Sequence, residues 1–163
     1  MSARERRAVG GLALLYSFRM LGLFMVLPLL ALYTAEIPGA TATLIGVAIG
    51  IYGLSQAILQ IPMGWLSDRI GRKPVILAGL VVFALGSAVA GLAESIEGVI
   101  LGRFLQGAGA IGGSVMALTA DLTRDEQRTK AMAIVGATIG VSFALALVLG
   151  PLVAASGGLS SVF

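Results

Sequence analysis

The chain has 163 residues, 58% of them apolar and only 12% charged, with a mean hydropathy of +1.00, where a water-soluble domain carries about 25% charged residues. It holds no Cys, no His and no Asn, which excludes zinc sites, Ser-His-Asp and Cys-His nucleophiles, disulfide frameworks and N-glycosylation, and with them most enzyme chemistry. The net charge of +3 sits in short basic clusters between apolar stretches, with no aromatic-basic face to follow a phosphate backbone, so nucleic acid is not an expected partner.

A hydrocarbon core about 30 Å thick takes roughly 20 apolar residues per helix. The chain offers five such stretches, so the expected fold class is an all-α membrane bundle with the lipid bilayer as its solvent. The first runs over 9–33, follows Arg4, Arg6 and Arg7, and holds Arg19 and Pro28. It is too long for the apolar region of a cleavable signal peptide and lacks a clear small-residue cleavage site. The second, 44–66, carries Tyr52, Gln56 and Gln60 at four-residue intervals, on one helical face. Such a polar stripe should not face lipid; it either lines a substrate path with Arg19 or acts as hydrogen-bond glue between helices.

Between this stretch and the third, 74–93, lies Gly64-Trp65-Leu66-Ser67-Asp68-Arg69-Ile70-Gly71-Arg72-Lys73-Pro74. We read it as a compact charged turn, with Gly71 left-handed and Pro74 opening the next helix. The fourth stretch, 99–120, is expected to be one uninterrupted span around Arg103. Its Gly107-Ala108-Gly109-Ala110-Ile111-Gly112 fits the dinucleotide pattern G-x-G-x-x-G, but no strand precedes it, so nucleotide binding is not expected. The fifth runs over 131–155. Glycines four residues apart, Gly46/Gly50, Gly98/Gly102 and Gly136/Gly140, offer surfaces on which helices approach closely.

The loop charges alternate. Arg4, Arg6 and Arg7, then Arg69, Arg72 and Lys73, then Arg124, Arg128 and Lys130 fall on one side, while the other loops hold only Glu36, Glu94 and Glu97. The positive-inside rule puts the N-terminus in the cytoplasm and the end of the fifth span outside. Arg19 and Arg103 lie inside spans, where an arginine costs about 2.5–3.5 kcal/mol on insertion scales; each faces a watery cavity or a partner, or else snorkels to the headgroups. Asp68 and Asp121 sit at the same end of even-numbered spans, and Arg72 lies within a turn of Asp68. These three are candidates for a conformational latch, with a solvated surface ion pair as the plainer alternative.

The residues Gly64, Asp68, Arg69, Gly71, Arg72 and Lys73 match, position by position, the G-x-x-x-D-R-x-G-R-K signature between the second and third helices of major facilitator transporters, and the chain resembles that family over nearly its whole length. Arg103, Gln106 and Gly107 resemble its fourth-helix motif R-x-x-Q-G, and Gly150-Pro151, on the helix that also carries Gly140, resembles its antiporter motif. That motif often closes with two glycines, where this chain has Ala154 and Ala155. The resemblance implies twelve helices in two six-helix halves, so residues 1–163 are expected to be a partial N-terminal domain with a C-terminal half supplied from elsewhere. It implies proton-coupled export of a small amphipathic compound by alternating access across the inner membrane. Arg103, Gln106, Gly107 and the latch would then serve coupling, and Arg19 the substrate cavity. The energy source is a proton gradient and no cofactor is needed, there being no Walker-type loop for ATP. No acid lies within a span, so Asp68, Asp121 and Glu36 are the proton carriers available here, and the main one belongs to the other half. A non-transporting assembly subunit and a homo-oligomeric channel are the competing readings.

Overall fold

The computed structural model describes residues 1–32 and 37–163, with 159 and 160 by backbone alone. It contains six α-helices: α1 (Ala3–Leu32), α2 (Ala42–Ile70), α3 (Arg72–Gly91), α4 (Ile96–Ala108), α5 (Gly112–Asp121) and α6 (Asp125–Gly157), followed by a 3-10 turn at Leu159–Val162. No strand occurs among the described residues. Helices α4 and α5 together make a 26-residue apolar unit, so among the described residues five units are long and apolar enough to cross a membrane. The all-α membrane fold is therefore as the sequence implies. Tyr33 and Glu36 lie outside the described residues.

Each of the five spans begins before its apolar stretch, and two of these starts carry side-chain caps. At the start of α1, the Ser2 amide donates to Glu5 Oε2 at 2.6 Å and the Glu5 amide to Ser2 Oγ at 3.2 Å, a reciprocal capping box. At α2 the Leu44 amide is taken by Thr41 Oγ1 at 3.2 Å. The charged turn expected over 64–74 shrinks to one residue, since α2 stays helical through Ile70 and α3 begins at Arg72. Gly71 makes the reversal at φ +99°, ψ 153°, a region open almost only to glycine and outside the left-handed helical basin expected for it.

Helix α1 packs along α6, and α3 and α2 both pack along α4. The α4–α5 unit is the centre of the bundle: 61% of its apolar window is buried, against 22% for α2 and 17% for α6. One apolar cluster gathers Val9, Tyr16, Tyr52, Ile111 and Val115; another, farther along the axis, gathers Val26, Leu29, Ile45, Ile96 and Val99. Ion pairs tie the start of α1, the α2–α3 reversal and the α5–α6 turn at one end. At the other end the Ile96 amide donates to the Pro38 carbonyl at 3.3 Å.

Close helix approach depends on fewer glycines than the spacing implied. A Cβ at Gly86 would come 2.6 Å from the Gln106 amide nitrogen, and one at Gly102 would come 2.6 Å from that of Ala90, so α3 and α4 touch backbone to backbone. Gly98 faces the Ala93 side chain of its own connection, whereas Gly46, Gly50, Gly136 and Gly140 meet nothing within 4 Å. Four-residue spacing permits contact, but only a facing helix makes it.

The fourth span is not continuous. Helix α4 stops at Ala108 and α5 starts at Gly112, within the glycine run that fits the dinucleotide pattern. A Cβ at Gly109 would overlap the Gly79 carbonyl, and one at Gly79 would overlap Ile111. Helix α3 thus presses on the break from one side, and the low helix propensity of glycine makes this the segment that yields.

Candidate functional site

At the basic end, Arg72 opens α3 beside the last turn of α2. Its Nη1 forms an ion pair with Asp68 and donates to Ser67 Oγ at 2.7 Å, while its Nε donates to Asp121 Oδ2 at 3.3 Å. The structure thus joins α2, α3 and α5 through one guanidinium. The Asp68 and Asp121 side chains are 60% and 56% exposed and that of Arg72 is 23% exposed, so each pair is screened by water and contributes little to stability. Such a cluster can be made and broken at small cost. Arg69 turns aside to lie over the Trp65 ring at 3.9 Å, and Lys73 is exposed; neither shares the cluster. Gly64 enters it through its carbonyl, which accepts Ser67 Oγ at 2.7 Å.

A second tie at this end was not expected from the sequence. Arg124, in the α5–α6 turn, donates its amide and its Nε to Glu5 Oε1, both at 3.1 Å. The hydrogen bond to this carboxylate, and then its charge, hold the Arg124 guanidinium above its ordinary value. The capping pattern Ser2-x-x-Glu5 was the available signal, though it predicts a helix start and not a distant partner.

Arg103 is fully buried at 0% exposure and does not snorkel. Its Nη1 donates to Gln106 Oε1 at 2.7 Å, and Gln106 Nε2 passes the chain on to Ser87 Oγ at 2.8 Å. Its Nε reaches the Ala48 carbonyl at 3.4 Å, the guanidinium lies 4.7 Å from the centre of the Tyr52 ring, and Nη2 has no partner. Gly107 permits this packing, because a Cβ there would overlap Ser55 Oγ and the Tyr52 carbonyl. Ser55 Oγ in turn donates to the Phe104 carbonyl at 3.1 Å.

Arg19 is 3% exposed and donates Nη2 to the Gly109 carbonyl at 2.9 Å, with its guanidinium 5.2 Å from the centre of the Phe83 ring. Of the polar stripe, the buried Tyr52 hydroxyl faces Arg19 at the edge of hydrogen-bond range, without a bond of good geometry, and the Tyr52 ring lies against Arg103. The Gln56 Oε1 atom is likewise buried and unpartnered. The Gln60 amide lies 3.7 Å from the Cβ position of Gly112. Tyr52 and Gln60 therefore turn toward α4 and α5.

On α6, Gly150 sits against α1, with a Cβ position 3.3 Å from the Met25 carbonyl. Pro151 is exposed, and Gly140 faces open space. The two members of the G-P pair thus look in different directions. Ser17 and Ser142 also join α1 to α6, at 2.7 Å between their hydroxyls. Isolated serines in apolar helices carry no spacing pattern that would have singled them out.

Residues 12–163 match the model of the Major Facilitator Superfamily. The chain is 58% identical over its full length to the inner membrane transport protein YajR of Escherichia coli, of which it covers 36%. It is 43% identical, again over its full length, to an uncharacterized transporter of Buchnera aphidicola, of which it covers 42%. Over 141 residues, 85% of the chain, it is 32% identical to the class B tetracycline resistance protein of Escherichia coli and covers 34% of that protein. The chain thus spans between about a third and two fifths of the length of these relatives. With its buried guanidinium groups and its α2–α3 signature, the chain is a multi-pass membrane protein belonging to the major facilitator superfamily.

Proposed function

We propose that residues 1–163 form the larger part of the N-terminal six-helix domain of a secondary active transporter, completed by a C-terminal half. The transporter exports a small amphipathic compound in exchange for protons by alternating access, with the N-terminus in the cytoplasm. The observation that carries this reading is the single guanidinium of Arg72 holding Asp68 and Asp121 from two other helices. A screened three-helix cluster is stable enough to favour one conformation and weak enough to release in another. The relatives' coverage supports the missing half, the positive-inside rule supports the orientation, and the tetracycline resistance relative supports efflux. Arg103 with Gln106, and Arg19 with the Tyr52–Gln60 stripe, place charge and polar groups inside the bilayer where a coupled substrate path needs them.

The test is proton-driven uptake of tetracycline into inverted vesicles carrying the full-length transporter. Asp68→Asn is expected to lower the rate at least tenfold at unchanged membrane insertion, with uptake by the parent abolished when the gradient is collapsed. A wild-type rate for Asp68→Asn, or uptake indifferent to the gradient, overturns the proposal.

A further inference from the structure

The break between α4 and α5 leaves a run of backbone donors without helical partners inside the bilayer. The Gly109 amide still reaches the Leu105 carbonyl at 3.1 Å, and the next backbone bond along the chain runs from Val115 to the Ile111 carbonyl at 2.9 Å. Among the described residues, no carbonyl takes the amides of residues 110–114. Helix α1 lies across this gap. Arg19 takes the Gly109 carbonyl, the acceptor that the Gly113 amide would use in an unbroken helix. Tyr16, one turn earlier, places its hydroxyl 3.1 Å from the Cβ position of Gly112.

Arg19 is 3% exposed; its Nε and Nη1 hold no hydrogen bond of good geometry, the Tyr52 hydroxyl being a polar neighbour from α2, and Ser114 Oγ in the first turn of α5 has no partner. No described carboxylate pairs with Arg19, the ion pairs belonging to Arg72, Arg124 and Arg128. Free guanidinium nitrogens, free amides at a helix N-terminus and hydroxyls that can donate form a set suited to an anion, and the helix end adds its partial positive charge. The Phe83 ring beside the guanidinium and the buried Ile111 supply apolar walls.

The geometry points to a subsite at the α4–α5 break for the carboxylate head of an amphipathic compound, held between Arg19 and the amide end of α5. It deepens the proposed function by naming the class of cargo, and rests on that reading for the compound being carried at all. The test is equilibrium dialysis of radiolabelled benzoate against the purified full-length transporter in detergent, at neutral pH and without a gradient, with neutral benzamide as the isostere. Benzoate is expected to bind at least tenfold more tightly than benzamide, a preference that falls to within twofold in Arg19→Leu. Tyr16→Phe, a milder change should Arg19→Leu fail to fold, is expected to weaken benzoate two- to fivefold and leave benzamide unchanged. A wild type without preference, a preference that survives Arg19→Leu, or benzoate binding indifferent to Tyr16→Phe overturns the subsite. A transporter that moves tetracycline but shows no benzoate preference sinks the subsite alone, whereas one that prefers benzoate but moves nothing sinks the transport reading alone.

Discussion

Arg103 and Gln106 show how a charge is kept in apolar surroundings. The guanidinium loses its water, and the replacement is one short bond to Gln106, one long bond to a carbonyl and an aromatic face. Two substitutions separate the cost of the charge from its use. Gln106→Leu keeps the charge and removes its short acceptor, which leaves a buried donor unmet at a cost of about 1–3 kcal/mol; we expect a lower thermal unfolding midpoint in detergent. Arg103→Met removes the charge with its desolvation and is expected to hold or raise that midpoint, yet to abolish proton-driven uptake. An Arg103→Met protein that still transports would reduce Arg103 to a packing residue. Both arginines were legible in the sequence because a charge within an apolar run is costly and therefore conspicuous. Their partners were less so. The Gly109 and Ala48 carbonyls that accept from them, and Ser87, which Gln106 reaches in turn, are backbone or small groups, and their contacts depend on which helices face one another.

At the scale of the elements, the α3–α4 pair is set by Gly86 and Gly102, whose missing side chains let two backbones meet. Overpacking such a contact costs about 1–3 kcal/mol, so Gly86→Ala and Gly102→Ala should each lower the denaturant midpoint in detergent. Gly136→Ala, with open space at its Cβ, should leave it unchanged or raise it by the helix propensity gained, about 1 kcal/mol. Equal losses at all three positions would show that propensity and not contact governs them. Spacing alone made Gly98/Gly102 and Gly136/Gly140 equivalent, and only the neighbour distinguishes them. The five spans were legible for the opposite reason, since a run of apolar residues long enough to cross lipid needs no partner to declare itself. The break at 109–111 was hidden because its residues are as apolar as the span around them. What interrupts the helix is a neighbour, with α3 crowding Gly109 and Arg19 capturing its carbonyl.

For the molecule as a whole, the direction of the bundle decides what the Arg72 cluster can do. The structure brings the start of α1, the α2–α3 reversal and the α5–α6 turn to one end, so nine of the eleven basic residues gather there or within a turn of it. Glu94 in the α3–α4 connection and Glu97 in the first turn of α4 lie at the other end. Translocating the basic end would carry several guanidinium groups across the membrane together, whereas the acidic end carries little penalty under the positive-inside rule. Residues 1–163 contain no Cys, so with any thiol of the C-terminal half replaced, a single introduced thiol reports its side without background. With a membrane-impermeant maleimide on intact cells, Glu97→Cys is expected to label at once and Thr129→Cys only after permeabilisation. Both positions are exposed in the structure, so a missing signal at Thr129 reflects the membrane and not burial. Labelling of Thr129→Cys in intact cells would place Asp68, Arg72 and Asp121 on the outer face, where the latch would guard the opposite opening.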